Sequence, residues 1–194
     1  MLAVVILLGA GVIALLSGGR LTAFTELKVR GLRYVVIAAA AQAVGGIAGA
    51  TTNSSDIYLA GLAVSAASAL VFCVLNFALA GVPLVTLGLI ANALVVGLNG
   101  AMPVSIYAAA RAGVSIESIA AGNDPRHTIA GYGSTWRTLG DVIPVPLPVE
   151  PEVASPGDVL VAAGLGELVL IVMRRRRRAV PVTPRRESAV ALPG

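Results

Sequence analysis

Two acidic residues with identical neighbours stand out among the groups able to do chemistry in this 194-residue chain. They are Asp141 in Gly140-Asp141-Val142 and Asp158 in Gly157-Asp158-Val159, separated by the proline-rich run PVPLPVEPEVASP. Two carboxyl groups at one surface can share a proton and activate water, as in aspartic peptidases, or hold a cation between them. Asp158 also has a purely structural reading. Ser155 fits a helix N-cap, Pro156 the first helical position and Asp158 the third, close to a capping box. There the acid also meets the positive end of the helix dipole. The single histidine, His127, lies three residues after Asp124 and could act as a proton relay or metal ligand, or simply as a hydrogen-bonding loop residue. One histidine beside one acid makes a thin metal site, so no metal and no cofactor is expected.

These groups have to be positioned by elements, and the composition says of what kind. Hydrophobic residues make up 57% of the chain and charged ones only 12%, about half the usual share in a soluble domain. Residues 57–110 contain no Asp, Glu, Lys, Arg or His, which no water-facing surface of that length tolerates. The expected fold class is an all-α membrane protein, a bundle of about five transmembrane helices with an extracytoplasmic cap of short helices and a proline-rich strap. The spans are expected at residues 1–19, 34–50, 57–78, 84–100 and 158–173. The cap covers 101–157, and the basic tail at 174–194 has the composition of a disordered cytoplasmic segment. Residues 1–19 read as a retained span, because a cleavable signal peptide starts basic and ends in a small-x-small site. Gly81 and Pro83 break the helix between the third and fourth spans, and Asn99-Gly100 ends the fourth.

Orientation follows from Lys and Arg, which resist translocation. Eleven of the fourteen basic residues fall in 20–33 and in the tail, leaving only Arg111, Arg126 and Arg137 for the other side. A multi-pass protein of the cell membrane is expected, with its N-terminus outside and its C-terminus in the cytoplasm. Arg174, Arg175, Arg176, Arg177 and Arg178 act as a lipid-facing basic anchor that attracts anionic headgroups. Membrane lipids, and a membrane-protein partner, are the expected company. Nucleic acid is not, since the positive charge flanks the membrane without interleaved aromatics.

Within the cap, Ser105 and Gly113 bracket one short helix and Ser115 and Gly122 a smaller one, lying at the interface or dipping into the bilayer. Trp136 and Tyr132 belong at headgroup depth. Asp141 has Arg137 and Arg126 as candidate partners. Glu167 falls inside the last span, where a charged carboxylate costs about 3 kcal/mol on insertion scales. Gln42, Asn76 and Asn92 are the intramembrane polar residues that could partner it, as a staple between helices or as an ion path. Gly45-x-x-x-Gly49 and Ala162-x-x-x-Gly166 offer small faces for close helix contact. The single cysteine, Cys73, excludes an internal disulfide. No phosphate loop, nucleophile elbow, zinc helix or dinucleotide fingerprint is present.

LLSGGRL at the end of the first span, NGAMPVS, NDPRHTIAGYGSTWRTLGDVIPVPLP and SPGDVLVAAG occur in this order. The set resembles the small bacterial multipass proteins of domain-of-unknown-function family 5317, over about residues 1–173. The resemblance implies location and supplies no catalytic residues. More faintly, an acid ahead of the last span is similar to the bacterial lipoprotein signal peptidase. That enzyme has Asn and Arg around its first acid and an Asn before its second, where this chain has TLGDVIP and ASPGDVL.

Three functions are carried forward. The first is a non-enzymatic accessory, assembly or regulatory subunit. The second is a carrier for a small solute or ion through Glu167, Asn92 and Gln42. The third is a membrane-embedded hydrolase with Asp141 and Asp158 as catalytic candidates and His127 beside them.

Overall fold

The structure is a computed structural model that describes residues 1–52 and 54–175. It is mostly helical. Four helices have the length and apolar composition to cross a membrane: α2 (Leu32–Thr52), α3 (Ser55–Leu75), α4 (Val82–Asn99) and α7 (Pro156–Arg174). A fifth apolar helix, α1 (Leu2–Leu16), has 15 residues and spans about 22 Å. It is shorter than the stretch expected at residues 1–19, because Gly18 turns to φ +81° and the helix ends at Ser17. Chain breaks elsewhere follow residue chemistry. Gly81 (φ +82°) opens α4 with Pro83 in its first turn, and Gly100 (φ +78°) closes it, conformations that glycine adopts without strain.

Small residues set the helix order. Gly45 and Gly49 of α2 bring that helix against Gly61 and Tyr58 of α3, leaving no room for a Cβ at Gly45 or Gly61. Gly88 and Gly164 do the same where α4 meets α7. Gly166 lies against Ile6 of α1, and the buried residues Ala10, Ala14 and Ala162 line the same seam. The bundle therefore runs α2, α3, α4, α7, α1 in space. The contact between α3 and α4 is far less extensive than the others.

Two asparagines tie the loops to the bundle ends. Asn76, which caps α3, accepts from Arg30 N (2.9 Å) and donates to Arg30 O (2.8 Å). This holds the segment after the 3-10 turn Leu21–Glu26. Asn99, ending α4, grips Thr135 in the same two-way manner, at 2.8 and 3.0 Å. At the same end as Asn76, Arg20 N donates to Met173 O (2.9 Å).

The opposite end carries the cap, which is where the all-α expectation is corrected. Besides the short helices α5 (Ile106–Ala112) and α6 (Glu117–Ala120), the cap holds four three-residue strands. β1 (Met102–Val104) pairs in parallel with β2 (His127–Ile129), and β3 (Ile143–Val145) pairs antiparallel with β4 (Glu152–Ala154). The proline-rich run is thus a hairpin rather than a single extended strap. Pro144, opposite Val153, needs no ladder partner for a nitrogen that has no hydrogen. Glu152 on β4 accepts from the amino group of Met1 and from Leu2 N, fastening the hairpin to the start of α1. Helix α5 has Ser105 as N-cap and Gly113 (φ +79°) as its stop, and it packs on β3 and β4 rather than among the long helices. Ser115, two residues before α6 begins, accepts from Glu117 N.

Candidate functional site

Where the hairpin meets α7, the capping box is complete. Asp158 N donates to Ser155 Oγ (2.9 Å) and Ser155 N to Asp158 Oδ2 (3.0 Å), with Pro156 in the first helical turn. Asn92 of α4 extends this into a network across helices. Its Nδ2 donates to Asp158 Oδ1 (2.8 Å), and its Oδ1 accepts from Ser155 Oγ (2.9 Å). Gly157 is required here, because a Cβ at this position would overlap the Asn92 side chain. Asp158 therefore has a donor on each oxygen.

Asp141 is held by its backbone and left free at its side chain. Its N–H donates to Pro103 O (2.8 Å), and its carbonyl accepts from Ser105 N (2.9 Å), so it lies along β1 on the side opposite β2. Gly140 makes this possible, since a Cβ there would run into Pro103 O. The carboxyl is buried, with the residue only 6% exposed, yet it makes no hydrogen bond among the described residues. Its nearest ionisable neighbour is His127, whose Nε2 stands 3.7 Å from Asp141 Oδ2. Burial, with the charges of Asp158 and Glu152 adding to it, pushes the Asp141 carboxyl up to about 7. At neutral pH it is poised between donor and acceptor.

His127 is turned by Asp124. Its Nδ1 lies 2.8 Å from Asp124 Oδ2, while Asp124 Oδ1 accepts from Arg126 N (2.9 Å) and pairs with Arg126 Nε (3.3 Å). Burial alone would raise the Asp124 carboxyl. The His127 hydrogen bond, the Arg126 backbone bond and the positive charge beside it outweigh that and lower it. The expected partners of Asp141 are thus otherwise engaged. Arg126 is taken by Asp124, and Arg137 stacks over Tyr132, 5.9 Å from the ring centre. Register explains this, because β1–β2 pairing sets His127, rather than an arginine, beside Asp141.

These groups converge on a cavity of about 690 Å³ between α2, α3, α4 and the cap, within the roughly 300–1,000 Å³ of small-molecule sites. Its cap end carries Tyr58, Asn92, Arg126, His127, Asp141 and Asp158. Its depth is lined by Leu62, Ala66, Ala69 and Leu89. Gln42 also reaches it, and Gln42 Oε1 is a buried acceptor with no hydrogen-bond partner among the described residues. Tyr58 is close enough to feel the Gln42 amide, but not in hydrogen-bonding geometry with that oxygen. The two Gly-Asp-Val copies share one logic. Each glycine allows a close passage, and each aspartate lines the same cavity.

Glu167 is elsewhere. It shares a face of α7 with the exposed residues Ala163 and Ile171, and it has no hydrogen bond or ion pair among the described residues. Asn92 is bound to Asp158 and Ser155, Asn76 to Arg30, and Gln42 lines the cavity, so the structure does not bring Glu167 together with any of them. Arg174 ends α7 and Arg175 follows it. Arg176, Arg177 and Arg178 lie outside the described residues. Among the described residues no group of three or more His, Cys, Asp or Glu is placed to hold a metal ion. Sequence reasoning passed over Tyr58 and gave Asn92 the wrong company. The signal for Asn92 was Gly88 four residues earlier on the same face, opposite Gly157.

A family model described as a family of unknown function (DUF5317) matches residues 26–171. No curated protein and no solved structure matches the chain.

Proposed function

We propose, for a chain that belongs to the DUF5317 family of unknown function, that it is an integral membrane protein that binds a membrane-soluble small molecule in the α2–α3–α4 cavity and exchanges a proton with it through Asp141. The observation that supports this reading is a buried carboxyl that makes no hydrogen bond among the described residues and lines a cavity beside Asp158, each of whose oxygens accepts one hydrogen bond, and near Asp124, which is paired with His127 and Arg126. A buried polar group without a partner is costly, and a ligand donor or cation offsets that cost. In this reading all five apolar helices cross the membrane. The loops at 20–31 and the Arg174 end lie in the cytoplasm and the cap lies outside, as the distribution of Lys and Arg requires. Asp124 and His127 set the Asp141 environment, and Ser155 and Asn92 fix Asp158. Native mass spectrometry of the purified protein tests it. The wild-type protein should carry a membrane-derived molecule whose retention changes between pH 6 and pH 8, and Asp141→Asn should lose that change. Equal retention by both proteins at both pH values would overturn the proposal.

A hydrolytic role draws on Asp141 and Asp158 both lining this one cavity. In that chemistry the Asp158 carboxylate takes a proton from water as the oxygen attacks a carbonyl, and protonated Asp141 donates its proton to the carbonyl oxygen. A product formed from a total membrane lipid extract by wild type, and by neither Asp141→Asn nor Asp158→Asn, is its signature. An accessory role instead draws on Glu167, which has no hydrogen bond or ion pair among the described residues and shares a face of α7 with exposed residues, and stable co-purification of another membrane protein that is lost in Glu167→Gln would mark it. A solute path through Glu167 has lost its expected partners.

A further inference from the structure

The shape and charge of the cavity define what fills it, given the reading of Asp141 as the ligand-facing group. Tyr58, Leu62, Ala66 and Ala69 follow one another down a single face of α3, covering about 16 Å of helix axis. That is close to half of the roughly 30 Å hydrocarbon core, or the depth of one leaflet. Charged groups occupy the cap end. Below them the walls are mostly small or aliphatic, with Gln42 and Ser65 the polar side chains among them, and α3 and α4 pack less extensively than the other neighbouring long helices, with Leu59 and Leu62 against Val95 and Val96. The slot runs along about one leaflet's depth of α3 and has a volume of about 690 Å³.

The polar end has a surplus of negative charge. Asp158 comes from α7 and Asp141 from the segment beside β1, while Glu152 of β4, whose charge also acts on Asp141, is paired with the amino group of Met1. Of the cations facing them, Arg126 is paired to Asp124, and His127 directs Nδ1 to Asp124 with Nε2 3.7 Å from Asp141. Among the described residues, neither Asp141 nor Asp158 has a protein cation within hydrogen-bonding distance. An anionic headgroup would meet like charge here, whereas a cation would supply what the fold omits.

We propose that the cavity binds an amphiphile with one acyl chain and an ammonium head group, the ammonium between Asp141 and Asp158 and the chain between α3 and α4 down to Ala69. The chain moves from lipid to protein, two equally apolar surroundings, so selectivity resides in the head group. The ammonium can belong to a zwitterionic phospholipid or to a simple long-chain amine, and both are tested.

The experiment measures binding of lysophosphatidylethanolamine, lysophosphatidylglycerol of the same chain length, and an alkylamine to the full-length protein in nanodiscs at pH 8. The ethanolamine lipid should bind at least roughly tenfold more tightly than the glycerol lipid, since placing like charges together costs several kcal/mol. Asp141→Asn should narrow that preference, and Ala69→Phe or Ala66→Phe should abolish binding of both lipids in protein that remains monodisperse. Alkylamine binding as tight as that of the ethanolamine lipid assigns recognition to the ammonium alone. Weaker alkylamine binding, with the lipid preference intact, assigns part of it to the phosphate near Arg126. Equal affinity for the two lipids, or unchanged binding in both phenylalanine variants, overturns the proposal. If Asp141→Asn loses its pH response while the two lipids bind equally, the ligand class fails and the role of Asp141 stands. If Asp141→Asn behaves as wild type throughout, the underlying reading of the site fails as well.

Discussion

Replacing Asp141 by Asn removes a proton-binding group with almost no change of shape, and the consequence is a specific pH dependence of stability. The Asp141 carboxyl sits at about 7 in the folded protein against 3.8 for a free aspartate. It therefore holds its proton more tightly folded than unfolded. Between pH 4 and pH 7 unfolding releases that proton, so stability falls as pH rises through this window and levels off above it. A separation of about three pH units at about 1.4 kcal/mol each gives a loss of about 4 kcal/mol. Asparagine carries no such cost. The variant and wild type should be equally stable near pH 4, and the variant should be the more stable at pH 8, by roughly 10 °C in apparent Tm for a chain of this size. Thermal unfolding in one detergent from pH 4 to pH 9, read as the difference between the two proteins, isolates this group. Groups that do not interact with Asp141 contribute equally to both proteins and drop out of the difference. Parallel curves would refute the reasoning, as they would mean that the Asp141 carboxyl is solvated or paired.

Asp158→Asn removes one of the charges that raise Asp141, so the Asp141 midpoint, followed by carbon-13 NMR of labelled aspartate, should move down. The weakened cap should also cost about 1 kcal/mol. Gly157→Ala should destabilise by about 1–3 kcal/mol, because the added methyl must displace Asn92. Gly11→Ala, where no atom lies within 4 Å of the added carbon, should be neutral or stabilising by about 0.5–1 kcal/mol, and thermal shift assays compare the two. Asn76→Ala leaves the Arg30 backbone without both of its side-chain partners. Limited proteolysis should then cut the 20–31 segment faster, with a loss of about 1–3 kcal/mol.

Features legible in the sequence were those determined by a few adjacent residues. The ends of α4 and α5 follow Gly81, Pro83, Gly100, Ser105 and Gly113, each acting within its own turn. Ser155, Pro156 and Asp158 form a capping box within four residues. Long apolar runs announced helices, and Gly45 and Gly49 announced where two of them touch. What could not be read depends on distant pairings. Strands of three residues carry too little alternation to be recognised, so the β1–β2 register that places His127 beside Asp141 was invisible. The cavity forms where α3 and α4 pack less extensively than their neighbours do, a property of the whole bundle rather than of any segment. Asn76, Asn92 and Glu167 looked alike as polar residues in apolar surroundings. Only their positions on the helix faces separate a loop clamp, a network centre and an outward carboxyl.

Carbodiimide labelling in native membranes tests the central claim most directly, because a lipid-soluble carbodiimide reacts with protonated carboxyls that it can reach from the bilayer. Peptide mass spectrometry should find Asp141 modified at pH 6, markedly less so at pH 8.5, and Asp158 spared at both. An Asp141 that stays unmodified across this range, or is labelled no more than Asp158, would contradict the account of a proton-bearing carboxyl facing an open cavity.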